Sequence, residues 1–243
     1  ENDKVTKWFR ENIREPLRDY DEVLFATVLF RSFNLPKTAE VLLNTGDGSY
    51  GLFDSWHCGK AVKALKPLHK RKEKLFTGAY MISPVSEFPG IPKYQGVCQR
   101  LHLFYQSIRN TVSKIEEINS LESACDYLQK FPGMGGFIAY EIVCDLRYTD
   151  LLENASDKET WANMGPGARR GLNRIRGVEP VDKTIKESSW LQGLQELLSQ
   201  AQGRLPDMPP FEAREIEHSL CEWDKYERYR LGQGRIKRMY KGG

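Results

Sequence analysis

The chain has 243 residues, enough for one large domain or two packed lobes. With 40% hydrophobic and 28% charged residues it has the balance of a folded globular protein rather than a disordered one, and no apolar run approaches the roughly 20 residues that span a bilayer. A net charge of only +3 gives no bulk argument for a polyanionic partner, so any such argument has to be local.

Helical periodicity dominates and alternating strands are absent, so the chain reads as all-α, with roughly ten helices. Residues 21–33, DEVLFATVLFRSF, are apolar nearly all round a helical wheel, which predicts a buried helix. Thr27, Arg31 and Asn34 share one narrow stripe of it at i, i+4, i+7. A buried arginine needs a partner, which is either an internal Asp or Glu or a phosphate or carboxylate clamped in a cleft. Pro36 opens a second helix, which stops at GDGSYG (46–51). Residues 59–75 hold seven Lys/Arg against one Glu, a solvated face or a track for phosphates. Thr77 and Tyr80, in TGAYMI, sit beside a proline-rich loop at 82–93. From Tyr94 to Ile118 a single helical stripe carries Val97, Leu101, Phe104, Ile108, Val112 and Ile115.

The next segment, 119–131, has Asn119 and Glu122 spaced as a capping box and reads as a helix. It runs into KFPGMGGFIAYEIVCDL, three glycines and a proline ahead of another helix-forming run. A nucleotide-binding loop would need Lys-Ser or Lys-Thr after Gly136, where Phe137 and Ile138 stand, and a dinucleotide fingerprint would need a preceding strand. What remains is helix, glycine hairpin, helix over about 120–147, with Gly133, Gly135 and Gly136 baring the first amides to a phosphate. On the second of these helices Glu141 and Asp145 lie at i, i+4 with Tyr148 on the same side. Their repulsion would raise one carboxyl toward the range of a general base.

An acidic loop, LLENASDKETWANMGPG, leads into ARRGLNRI. The last long helix, 211–231, carries Ala213, Ile216, Leu220 and Trp223 as a core stripe, with His218, Glu222, Lys225 and Tyr229 opposite, facing solvent unless a cleft covers them. The tail from Arg228 to Gly243 has six basic residues and no acid. Five cysteines, at 58, 98, 125, 144 and 221, include no close pair, which argues for reduced thiols inside a cell and against a zinc or iron–sulfur site.

LQKFPGMGGFIAYEIV resembles the helix-hairpin-helix of the DNA glycosylase superfamily, in which hairpin amides hold a DNA phosphate. That resemblance implies a two-lobed, glycosylase-like helical fold forming a single catalytic domain over 1–243, with a basic tail at 228–243. In those enzymes the following helix usually opens with Val-Asp-Thr-His-Val and runs to Arg-Leu-Gly, the Asp being catalytic. Aligning Arg174-Ile175 with the Arg-Leu puts Gly165 where that Asp stands.

Five motifs in order, FATVLFRSFN, FTGAYMI, FPGMGGFIAYEIVCDLRY, GPGARRGLNRI and IEHSLCEWDKYER, are similar to the α-glutamyl/putrescinyl thymine pyrophosphorylase family, over roughly residues 18–230. The resemblance implies an enzyme that attaches an amino acid or polyamine to the 5-methyl carbon of phosphorylated 5-hydroxymethyluracil in DNA, with loss of phosphate or pyrophosphate. For that chemistry Arg31, Arg169 or Arg170 would stabilise the leaving group and Asp145 or His218 would take the amine's proton. Asn34 and Glu222 complete the expected catalytic set, and Thr27, Tyr80 and Lys225 the expected substrate contacts. The expected partners are duplex DNA with the modified thymine flipped out and a small amine, with no metal or organic cofactor and no membrane. A monomer is expected, in the host cytoplasm if viral or the nucleus if eukaryotic. A base-excising glycosylase or lyase, with Lys225 as a Schiff-base amine, and a non-catalytic DNA-binding module are the other readings of such a fold.

Overall fold

The computed structural model describes residues 3–45 and 56–233; GDGSYG and the tail beyond residue 233 lie outside that range. The described residues contain eleven α-helices, one π-helical turn and no strand, an all-α fold. Two compact units divide the chain, Glu1–Ala155 and Ser156–Gly243.

In the first unit α1 (Lys4–Phe9) runs into the π-turn Arg10–Arg14, followed by α2 (Glu22–Phe33), α3 (Pro36–Leu43), α4 (Cys58–Lys70), α5 (Lys93–Gln106), α6 (Ile108–Glu117), α7 (Leu121–Leu128) and α8 (Gly136–Leu146). The expected buried helix, α2, is at its centre, with ten of its twelve residues enclosed, and it packs on the π-turn, α3, α5 and α8. Phe30 lies against Phe9 and Trp8, Phe25 against Trp56, and Phe33 on Phe76. Each such side chain contributes about 1.5–3 kcal/mol by leaving water. Asn34 ends α2 in the left-handed region (φ 47°), where its N–H donates to the Phe30 carbonyl at 2.6 Å; a short polar side chain tolerates that conformation.

Pro36 then starts α3 in the first turn, as its missing N–H permits. The Thr77 N–H donates to the Phe33 carbonyl (2.8 Å) and the Thr38 hydroxyl to the Leu75 carbonyl (2.9 Å). These two bonds tie residues 75–77 to the end of α2 and to α3, and so fix where Tyr80 stands.

The basic run is mostly one amphipathic helix, α4. Ala61, Leu65 and Leu68 face the core while Lys60, Lys63, Lys66 and Lys70 are exposed. The expected stripe from Val97 to Ile115 is buried throughout but belongs to two helices, because Ser107 (φ −105°, ψ 5°) breaks the run. Its hydroxyl donates to the Phe104 carbonyl at 2.8 Å, the local side-chain bond by which serine competes with helix continuation. The cap of α7 is Ser120, one residue past the expected Asn119, accepting from the Ser123 N–H at 3.1 Å.

The second unit comprises α9 (Pro166–Arg176), α10 (Glu187–Arg204) and α11 (Ala213–Arg230). Helices α9 and α11 approach through glycine. A Cβ on Gly171 would run into the Leu220 carbonyl, and one on Gly167 would lie 2.7 Å from Cys221 Sγ. A reciprocal capping box of Glu212 and Glu215 starts α11. Helix α10, which the sequence analysis did not single out, buries Trp190, Leu194 and Leu198 at four-residue spacing. Trp223 corrects an expectation. It is 42% exposed and stacked on Tyr226, and the buried side of α11 continues from Leu220 to Asp224 and Glu227.

Candidate nucleic-acid interface

Arg31 is buried, and its guanidinium is held by two carboxylates of α8. Its Nε and Nη2 donate to the two oxygens of Asp145 (2.6 and 2.8 Å), and Nη1 donates to Glu141 (2.7 Å). Of the two fates open to a buried arginine, the structure has the internal ion pair. Burial opposes the charge, but Asp145 and then Glu141 outweigh it and keep the guanidinium's pKa well above its usual value. Three of the guanidinium's donors are thus turned to carboxylates inside the protein. The carboxylate repulsion expected at i, i+4 is absorbed by Arg31. Asp145 is 3% exposed and gripped along both oxygens, whereas Glu141 is the less enclosed of the pair, its side chain 12% exposed.

The rest of the predicted stripe surrounds this trio along α2. Thr27 and Asn34 are buried, and Thr27 Oγ1 and Asn34 Oδ1 have no hydrogen-bond partner in the protein. The Tyr80 hydroxyl donates to the Arg31 carbonyl at 3.2 Å. Burial pushes this phenol well above its ordinary pKa, Arg31 pulling it down while Glu141 and Asp145 add to the rise, so Tyr80 is a neutral donor at any physiological pH. Its ring meets Phe137 edge-on, 4.9 Å between centroids. Phe137, Glu141 and Asp145 therefore form one stripe of α8 at four-residue spacing. Sequence reasoning named the two acids and missed Phe137, which the same spacing would have added. Farther along, the guanidiniums of buried Arg14 and Arg147 lie 4.3 and 4.6 Å from the centre of the Tyr148 ring, a grouping that no local pattern announced.

Between α7 and α8 the chain turns through Gly133 (φ 83°). A Cβ there would lie 2.9 Å from Arg100 Nη1, so both its conformation and its neighbour require glycine. Arg100 of α5 in turn donates to Glu87 (2.5 and 2.7 Å) and to the carbonyls of Ser83 and Pro84, which joins the proline-rich loop to the back of the hairpin. Gly135 is the N-cap of α8, with no side-chain cap and no acid in the first turn, and a Cβ added to it would meet nothing within 4 Å. The start of α8 thus has no side-chain cap and no acid, and the space at Gly135 is clear.

The remaining predicted residues belong to the second unit. Arg169 donates to the Met164 carbonyl (2.7 Å) and lies 3.9 Å over the Trp190 ring, while Arg170 and Arg174 bind Asp224, which is 1% exposed. Both arginines of the expected substrate clamp are thus engaged inside the unit. On α11 Glu222, Lys225 and Tyr229 are exposed, and His218 is half exposed beside Glu217 (3.6 Å). Burial lowers the Lys225 pKa, but the hydrogen bond to Glu222 more than reverses this, and the ammonium is held protonated, the opposite of what a Schiff-base nucleophile needs. Gly165 is the N-cap of α9, at φ −66° and ψ 170°, again with nothing near its Cβ. Among the described residues no cluster of three or more His, Cys, Asp or Glu is placed to hold a metal, and no helix is long and apolar enough to cross a membrane.

By fold, then, this is an all-α protein in which a buried ion-pair cluster joins α2 to α8. It belongs to the family described as 5-hmdU DNA kinase, helical domain, whose model matches residues 1–235. No curated protein and no solved structure matches the chain. The matched family is not the pyrophosphorylase family that the five motifs resemble. The two agree on hydroxymethyluracil, and the match ties the chain to hydroxymethyluracil DNA modification.

Proposed function

We propose that the chain recognises 5-hydroxymethyluracil in duplex DNA and presents its hydroxymethyl group for phosphorylation. The matched family supports the base and the reaction class. The observation that carries the reading is a carboxylate, Glu141, held by Arg31 at the less enclosed edge of the Arg31–Asp145–Glu141 trio. A carboxylate oxygen at that edge accepts a hydrogen bond from a hydroxyl and is mismatched to a phosphate, which offers it no donor. Glu141, at the edge of the trio, accepts the hydrogen bond of the hydroxymethyl O–H; Arg31, itself fixed by Asp145, holds Glu141 in place. A neighbouring DNA phosphate approaches the start of α8 past Gly135, where the space is clear, and the exposed lysines of α4 add non-specific attraction. The 243 residues contain no G-x-x-x-x-G-K-S/T loop, so in this reading another part of the kinase holds the nucleotide.

The five ordered motifs favour a second reading, displacement of phosphate from phosphorylated hydroxymethyluracil by an amine. Binding order separates the two. Duplexes carrying a single hydroxymethyluracil, thymine or phosphomethyluracil are titrated by fluorescence anisotropy. Phosphorylation predicts that hydroxymethyluracil binds tightest, about tenfold or more over thymine, because a site built around a hydroxyl penalises its loss. Glu141→Gln erases that preference. Tightest binding of phosphomethyluracil, with mass gain of the base on adding an amine, favours displacement. Equal binding of all three overturns both.

A further inference from the structure

The second unit gathers hydrogen-bond donors at the start of α9. Pro166 has no N–H, and the Arg169 N–H closes the first turn on the Gly165 carbonyl at 3.0 Å, which leaves the amides of Gly167 and Ala168 without an acceptor. Gly165 brings no side-chain cap, the first turn has no acid, and a Cβ on Gly165 would meet nothing within 4 Å. The Arg169 side chain folds back to the same place. Its Nε takes the Met164 carbonyl at 2.7 Å, and its guanidinium lies 3.9 Å over the Trp190 ring. Arg170 and Arg174 share Asp224 and Arg176 has Glu196, but among the described residues no carboxylate pairs with Arg169. Trp190 is 3% exposed, and its indole N–H has no acceptor in the protein either.

The surrounding acids are committed elsewhere. Residues 160–178 hold four arginines and no Asp or Glu. On α11 Glu217 stands 3.6 Å from His218, and farther along Glu222 and Glu227 hold Lys225 and Arg230. Glu187, one turn before Trp190 on α10, is exposed and makes no ion pair with Arg169. Donors alone converge here, beside one guanidinium with no counter-charge. That pattern fits an anion whose several oxygens accept at once. We propose that the start of α9 seats a phosphate group, its oxygens accepting from the Gly167 amide and the Nη groups of Arg169, whose guanidinium the Trp190 ring holds in position. Its charge also offsets the two enclosed donors, the Ala168 amide and the Trp190 N–H. The site lies within the second unit and stands whether or not Glu141 reads a hydroxymethyl group. A DNA strand and a soluble nucleotide both carry the group.

The test follows the Gly167 and Ala168 amide resonances and the Trp190 indole N–H in the isotopically labelled full chain, as inorganic phosphate is added at constant ionic strength. All three shift and saturate together. Arg169→Gln weakens binding roughly tenfold, the loss expected of a charge-assisted bond, and Arg169→Lys, which keeps the charge without the fork, recovers only part. Gly165→Asp gives the helix a carboxylate cap of its own, so the melting temperature rises while phosphate no longer moves the amides. A thymine duplex and ATP are then added to the phosphate-loaded chain. Displacement by the duplex assigns the seat to a DNA backbone; displacement by ATP assigns it to the phosphate donor and places part of the nucleotide on this chain. Displacement by neither marks an adventitious ion only and overturns the inference. So do an equal shift with chloride, the lack of a saturable shift, and normal binding by Arg169→Gln and Gly165→Asp. A preference for hydroxymethyluracil duplex that survives these failures leaves the reading of Glu141 standing.

Discussion

Arg31 joins two helices through three hydrogen bonds, all to carboxylates and all inside the protein. Removing it leaves Asp145 and Glu141 facing each other in a site with little water. Arg31→Met therefore costs about 3–5 kcal/mol of stability, or about 6–20 °C of melting temperature in a domain of this size. Arg31→Met/Asp145→Leu, which also removes the more deeply buried of the two carboxylates, recovers part of that loss, as thermal melts of the three proteins will read. A double variant no more stable than the single one refutes the ion-pair account. That Arg31 is buried was legible in the sequence, because α2 is apolar on every side. Its partners were not, since they lie 110 and 114 residues further along and a tertiary pair leaves no periodic mark. Trp223 was misread for a related reason. A helical wheel ranks faces by apolarity, but it cannot see that α9 supplies Arg170 and Arg174 to an acid, Asp224, on the face that is buried.

At the scale of elements, two glycines at first sight alike have opposite meanings. Gly135 has ordinary dihedral angles and open space at its Cβ, so Gly135→Val changes stability by less than about 0.5 kcal/mol. It crowds the approach to the α8 amides, and DNA affinity falls to a similar degree for every sequence, since phosphate contacts position without specifying. Gly171 has the Leu220 backbone against it, so Gly171→Val forces α9 from α11 and costs about 1–3 kcal/mol or more. Thermal unfolding and anisotropy on both variants check the pair; a destabilised Gly135→Val protein with normal DNA affinity contradicts it. The sequence marked the first glycine through its place in a hairpin before a helix. It was silent on the second, because close packing between helices depends on which residue happens to face the neighbour. Ser107 was also invisible: the apolar stripe from Val97 to Ile115 keeps its phase across the break, and only the backbone records the turn.

The whole molecule divides at Ala155, and the hairpin, the Arg31 trio and the lysine face of α4 all belong to Glu1–Ala155. That unit encloses its own aromatic core around α2, so a fragment of residues 1–155 is expected to fold, with helical circular dichroism and a cooperative melt, and to keep most of the chain's duplex affinity. A fragment that folds without binding DNA would move the interface to the other unit. The arrangement of Arg31 also governs how the unit is made. Asp145 leaves the ribosome 114 residues after Arg31, and at about 5–20 residues per second the delay is about 6–23 s. Throughout that interval α2, ten of whose twelve residues the folded unit encloses, has neither α8 to pack on nor the carboxylates that hold its arginine. The unit cannot be assembled piece by piece from its N-terminus; its centre closes only when its last helix arrives, and until then the nascent chain presents a sticky, helix-forming segment of the kind that chaperones shield.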